Sequence, residues 1–177
     1  MDCNPELIAA AQNNTAKLGF SDRFALHTGE LADTRFLENL RMEASPVQLG
    51  MANPPWRLVG SGRLPATEAR RKALFGDKGT FPLFASAASS LLEEDGRFAC
   101  IISPDRLQDM LAALDGAGLT PYLLQYIHKQ KTSPATFVLI EARKGAHAKP
   151  SVAEPIALYG PECFFTLESL AFCPFLR

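Results

Sequence analysis

The sequence lacks the groupings that would hold a metal or lock a disulfide framework. Its four cysteines, Cys3, Cys100, Cys163 and Cys173, include no CxxC pair, and its three histidines, His27, His128 and His147, stand at no ligand spacing from them. Neither metal nor disulfide chemistry is expected. Long apolar runs are missing as well: no stretch of roughly eighteen apolar residues occurs, and the N-terminus lacks the charged, apolar and small-residue order of a secretion signal. A cytoplasmic protein without a membrane span is expected. Charge of one sign is not in excess either, and a net charge of -1 argues against a protein that coats nucleic acid nonspecifically. There is no internal repeat and no low-complexity segment.

What is present suits one soluble globular unit: 177 residues, of which 47% are hydrophobic and 21% charged. Charge is concentrated locally. From Trp56 to Lys78 six basic residues (Arg57, Arg63, Arg70, Arg71, Lys72, Lys78) face only Glu68 and Asp77, a local balance of +4. A second basic stretch, His128, Lys129, Lys131, Arg143, Lys144 and Lys149, is opposed by Glu141. Either stretch suits RNA phosphates or an ordinary solvated face.

Asn4 as N-cap, Pro5 at the first helical position and Glu6 in the first turn open a helix that Gly19 ends. Arg23 to Thr28 alternates as a short strand would, and Val47 to Ala52 is an apolar strand stopped by two prolines. A Gly- and Arg-containing loop leads to a helix capped by Thr80 and closed by Asp95-Gly96. Phe98 to Ile102 then reads as a buried strand, Pro104 to Leu114 as a helix with Leu107, Met110, Leu111 and Leu114 inward, and Gly116 and Gly118 as its stop. Tyr122 to Ile127 and Thr136 to Ile140 read as a closing antiparallel pair. The expected architecture is an α/β sheet covered on both faces, with function at the carboxyl ends of its strands. Residues 1–145 form its body and 146–177 a linker and appendage of the same unit; the Pro-bearing stretch from Gly145 to Pro155 marks the linker, and the appendage is rich in phenylalanine (Phe164, Phe165, Phe172, Phe175).

The most specific pattern is Asn53-Pro54-Pro55-Trp56 directly after a strand. The exocyclic amine of a nucleobase is a poor nucleophile because its lone pair is delocalised into the ring. Two acceptors holding its hydrogens favour a more pyramidal, more reactive nitrogen. The Asn53 side-chain carbonyl and the Pro54 backbone carbonyl are candidates for those acceptors. Proline has no N–H and a fixed φ, so such a turn can aim carbonyls at a ligand rather than into a sheet. Trp56 would stack on the base, a contact worth roughly 1 to 3 kcal/mol. A rigid strand-ending turn with a half-buried Trp is the plainer alternative.

This tetrapeptide resembles the NPP-aromatic motif of class I amino-methyltransferases. The likeness extends through Gly60, Gly62 and Ala69-Arg70, Leu92 to Phe98, Ser103-Pro104-Asp105-Arg106-Leu107, Thr136 to Gly145 and the aromatic tail, and is to the bacterial tRNA adenine-N6 methyltransferase family. That resemblance implies a Rossmann-like methyltransferase sheet, S-adenosylmethionine as cofactor, and an anticodon-loop adenine of a valine tRNA as substrate. It implies a catalytic role for Asn53, Pro54, Pro55 and Trp56, cofactor contacts from Asp2, Glu30 and Asn53, and tRNA contacts from Arg57, Arg63 and Arg70. It begins only at the helix after the family's second strand, so an N-terminally truncated sheet without the Gly-rich cofactor turn is expected. Gly60-Ser61-Gly62 and Gly116-Ala117-Gly118 are read as loop punctuation. Two other readings stay open: methylation of a protein glutamine, whose amide nitrogen NPP-aromatic motifs also serve, and a non-catalytic remnant.

Overall fold

The structure is a computed structural model that describes residues 1–44, 46–58, 60, 65–145 and 149–173. The chain divides into two compact units, Met1–Ser45 and Pro46–Arg177.

In the first unit, helix α1 (Pro5–Lys17) begins as its sequence dictates: the Asn4 side chain accepts the Glu6 N–H at 2.9 Å, and Gly19, at φ +71°, lets the chain leave. The strand expected over Arg23 to Thr28 does not form. Ser21–Arg23 is a 3-10 turn, and Thr28 makes only a lone parallel bridge to Asp2. That bridge rests on two bonds, Asp2 N–H to the His27 carbonyl at 3.2 Å and Gly29 N–H to the Asp2 carbonyl at 3.1 Å. Helix α2 (Thr34–Glu43) is an element the sequence reading passed over. Its Asp33 cap accepts the Arg35 and Phe36 N–H groups at 2.9 and 3.2 Å.

The second unit runs β1 (Val47–Ala52), β2 (Arg57–Leu58), α3 (Glu68–Leu74), β3 (Phe75–Gly76), α4 (Thr80–Leu91), β4 (Leu92–Ile102), a 3-10 turn (Pro104–Arg106), α5 (Leu107–Gly116), β5 (Leu119–Gln130), β6 (Ala135–Lys144), β7 (Ser151–Val152), β8 (Ile156–Tyr159) and α6 (Leu167–Phe172). The main sheet has the order β1-β4-β6-β5-β7, with β8 also on β5. β1 and β4 are parallel, β6 is antiparallel to both β4 and β5, and β7 and β8 lie parallel to β5. The closing antiparallel pair is thus present, and longer than its apolar runs suggested.

Several local expectations are corrected. Thr80 is the first residue of α4 rather than its cap; its hydroxyl accepts the Asp77 N–H at 2.9 Å and donates to the Asp77 carboxylate at 3.1 Å. Asp95-Gly96 does not close that helix, which ends at Leu91 and passes straight into β4. Leu92, only 4% exposed, belongs to the core there, and Asp95 (φ 62°) with Gly96 bends the strand. No glycine cap is needed, because the Lys144 ammonium donates to the Ser89 and Leu92 carbonyls at 2.9 and 2.8 Å. The Gly- and Arg-containing loop holds the β2–β3 pair and α3, which Thr67 caps. The helix expected from Pro104 is a 3-10 turn followed by α5. Within the stretch read as a linker β7 joins the sheet, and β8 joins it directly after.

The core lies between the sheet and α4 with α5: Phe81, Met110 and Leu114 from the helices meet Phe98, Ile102, Val138 and Ile140 from the strands. Burial of such side chains stabilises by about 1.5–3 kcal/mol each. The opposite sheet face was expected to be covered as well. It carries instead a groove of about 400 Å³ walled by Met51, Ile101, Leu139, Glu141 and Phe172, and Met51 there is 78% exposed.

Candidate functional site

The parallel register of β1 with β4 sets Ala52 beside Cys100, so the segments that follow, Asn53–Trp56 and Ser103–Arg106, leave the sheet at the same edge. This is where strand carboxyl ends gather ligands in open α/β sheets. Asn53 is exposed, Pro54 is under 2% exposed, and Pro55 and Trp56 are half-buried. Proline serves at the buried position because it carries no N–H that burial would orphan.

Two further elements hold the turn. β2 and β3 pair in parallel, Arg57 with Phe75 and Leu58 with Gly76. A Cβ at Gly76 would stand 2.6 Å from the Pro55 carbonyl oxygen, so only glycine permits that approach. Arg106, 3% exposed, also reaches the turn, donating from Nη1 to the Trp56 carbonyl at 2.9 Å and from Nε to the Asp109 carboxylate at 2.8 Å. Its guanidinium also lies over the Phe81 ring, 4.5 Å from the centroid. The Trp56 indole meets Phe137 edge-on at 6.1 Å, and Arg57 stands over it at 5.3 Å.

Of the residues named from sequence, Asn53, Pro54, Pro55, Trp56 and Arg57 are contiguous in this turn, and Arg70 is exposed on α3 beside the exposed Arg71 and Lys72. Arg63 lies outside the described residues. Asp2 and Glu30 belong to the first unit. Asp2 is half-buried, with Oδ1 accepting the Asn4 N–H at 2.8 Å, and exposed Glu30 directly follows Gly29, which is bonded to the Asp2 backbone. Gly116-Ala117-Gly118 leads from α5 into β5, the reverse of the strand-to-helix order a cofactor turn requires. Of the other glycine pair only Gly60 is among the described residues.

Three of the six residues in the second basic stretch are engaged within the protein. Lys144 caps α4, His128 Nδ1 is 2.7 Å from the Ser133 carbonyl, and Arg143 lies over the Tyr122 ring at 5.1 Å. Burial, and then the neighbouring Glu141, raise the Tyr122 phenol above its ordinary value. Burial likewise pushes the Cys100 thiol up to about 12, so it is a packing group and not a nucleophile. Among the described residues no three His, Cys, Asp or Glu side chains are grouped to hold a metal ion, and no helix is long and apolar enough to cross a membrane.

Sequence reasoning missed the supports of the turn. Arg106, Asp109, Gly76 and Phe137 are brought to it only by tertiary folding, and no local pattern marks an arginine as buried.

No family model and no curated protein matches this sequence. Solved structures do. The chain is similar to a predicted O-methyltransferase, protein Atu636 from Agrobacterium tumefaciens, with a TM-score of 0.69 and 19% identity over 98% of this chain and 73% of that one. It is similar to a candidate rRNA-methylase from Clostridium thermocellum, at 0.50 and 20% identity over 80% and 72% of the two chains. An O-methyltransferase family 2 protein from Planctomyces limnophilus, in complex with apigenin, gives 0.50 and 16% over 81% and 41%. At these identities the likeness is one of fold: a mixed α/β, Rossmann-like sheet shared with methyltransferases.

Proposed function

We propose that this chain carries the target-amine cradle of an S-adenosylmethionine-dependent N-methyltransferase that acts on the N6 amine of adenine in RNA, a tRNA anticodon-loop adenine being the substrate the sequence resemblance favours. The observation that carries the reading is the turn itself. An exposed Asn53 follows a strand at the sheet's carboxyl edge beside the buried Pro54, and the two carbonyls after it are engaged, Pro55's in the space left by Gly76 and Trp56's by Arg106.

In this reading the Asn53 side-chain carbonyl and the Pro54 backbone carbonyl accept the two amine hydrogens and concentrate the lone pair on nitrogen. Trp56 stacks on the base, and Arg57, which occupies that ring now, moves to a phosphate as the base arrives. Arg70, exposed on α3, adds a second phosphate contact. S-adenosylmethionine, when bound, supplies an electrophilic methyl group. Its nucleoside end carries hydroxyls and an amine that donate, which suits the acceptor chemistry of two carboxylates of the first unit, half-buried Asp2 and exposed Glu30, the latter following the Gly29 bonded to the Asp2 backbone. No glycine turn for the methionine end is found among the described residues. The same cradle would suit a glutamine amide, but the exposed basic helix α3 that follows the turn favours a polyanionic substrate.

Trp56 is the only tryptophan of the chain, so its fluorescence reports on this site alone. Titration with an adenine-bearing anticodon stem-loop RNA is expected to quench it. Asn53→Ala should weaken binding by about tenfold, the loss of one or two hydrogen bonds. A methyl-acceptor assay with RNA and protein substrates side by side is the companion test; labelling of protein alone would overturn the reading.

A further inference from the structure

We infer that Arg106 is a positioning residue for the amine cradle, setting the height of the Asn53–Trp56 turn over the sheet edge from a seat that touches no substrate. The inference rests on the reading of that turn as a base site. Its grounds are geometric. A guanidinium only 3% exposed is costly to bury unless every direction around it is satisfied. Arg106 is held in three directions at once: Asp109 at Nε, the Phe81 ring against its plane, and the Trp56 carbonyl at Nη1. Two of these partners belong to the helices that pack on the sheet, α4 and α5. The third is the backbone of the residue that closes the proposed cradle.

The consequence is a rigid link from the core to the turn. Phe81 is 1% exposed and cannot shift without opening the core, and Asp109 fixes the in-plane rotation of the guanidinium. The remaining freedom of Arg106 is small, so the Trp56 carbonyl is held where Nη1 points. Gly76 bears on the turn at a second point, admitting the Pro55 carbonyl into a space no side chain can share. Two successive carbonyls of the turn are thus engaged by separate elements. A cradle that must hold two carbonyl oxygens around an amine within about half an ångström needs such restraints. Lysine cannot replace Arg106, because an ammonium can neither lie flat on Phe81 nor divide its donors between Asp109 and the carbonyl in one plane.

The test uses the full chain with Arg106→Lys, Arg106→Gln and Asp109→Asn. The last keeps the guanidinium and its carbonyl bond while loosening its rotation, and Asp109 is exposed enough for the variant to fold. Three readouts are compared: thermal melting, the emission maximum and acrylamide quenching of Trp56, and binding of the adenine-bearing stem-loop against the same loop with inosine, which lacks the amine. Folded Arg106 variants should show a red-shifted, more quenchable Trp56 and an adenine-over-inosine preference reduced by about tenfold. Asp109→Asn should show a smaller change in the same direction. Unaltered Trp56 emission together with unaltered base preference in folded variants would overturn the positioning role. If Trp56 emission shifts while neither the wild type nor any variant distinguishes adenine from inosine, the brace stands and the base-site reading fails.

Discussion

The two units of this chain differ in how they are held together. Among the described residues of the first, Leu40 is the only buried hydrophobic one; α1 has none, and a lone bridge between Asp2 and Thr28 stands in for a sheet. In the second, Phe81, Ile102, Met110, Leu114, Leu119, Ile140 and Val138 are all under 3% exposed around a multi-stranded sheet. The contrast teaches that local signals and core formation are separate matters. The first unit has good caps and little to bury; the second has the core, and the proposed amine cradle is fastened to it.

The largest expected difference is in hydrogen exchange. Amides of β4 and β6 should outlast those of α1 by about a thousandfold or more, which is ~4 kcal/mol of opening free energy. Comparable protection in α1 would erase the contrast. Next comes core truncation: Leu114→Ala, at a fully buried site, should cost about 3 kcal/mol in denaturant unfolding, and Leu40→Ala, at the rim of burial, under about 2. Equal losses would show that both units draw on one core. The smallest effect is at a cap. Asn4→Ala removes the acceptor for the Glu6 N–H and should lower α1 stability by about 1 kcal/mol, seen as faster exchange in α1 with β4 unchanged.

The sequence was most legible where one residue type has one physical use. Asn4-Pro5 announced a helix start, and the prolines after Ala52 ended β1 at the residue expected. Long apolar strands announced the antiparallel pair. It misled where a local signal was overridden from far away. Asp95-Gly96 has the composition of a helix stop, yet α4 had already ended and its last carbonyls are met by Lys144, 52 residues beyond Leu92. Arg23 to Thr28 alternates like a strand, but alternation forms no strand without a neighbour to pair with. At the site, the turn was readable from its own residues. Its supports at Gly76 and Arg106 were not, because their meaning is a distance to another segment.

Lys144 also imposes an order on folding. The last turn of α4 lacks a basic residue of its own, and the ammonium that satisfies its carbonyls arrives with the final residue of β6. Until residue 144 has been made and the β5–β6 hairpin has docked, the Ser89 and Leu92 carbonyls lack this donor. The crossover helix is completed by β6, the strand that pairs beside β4.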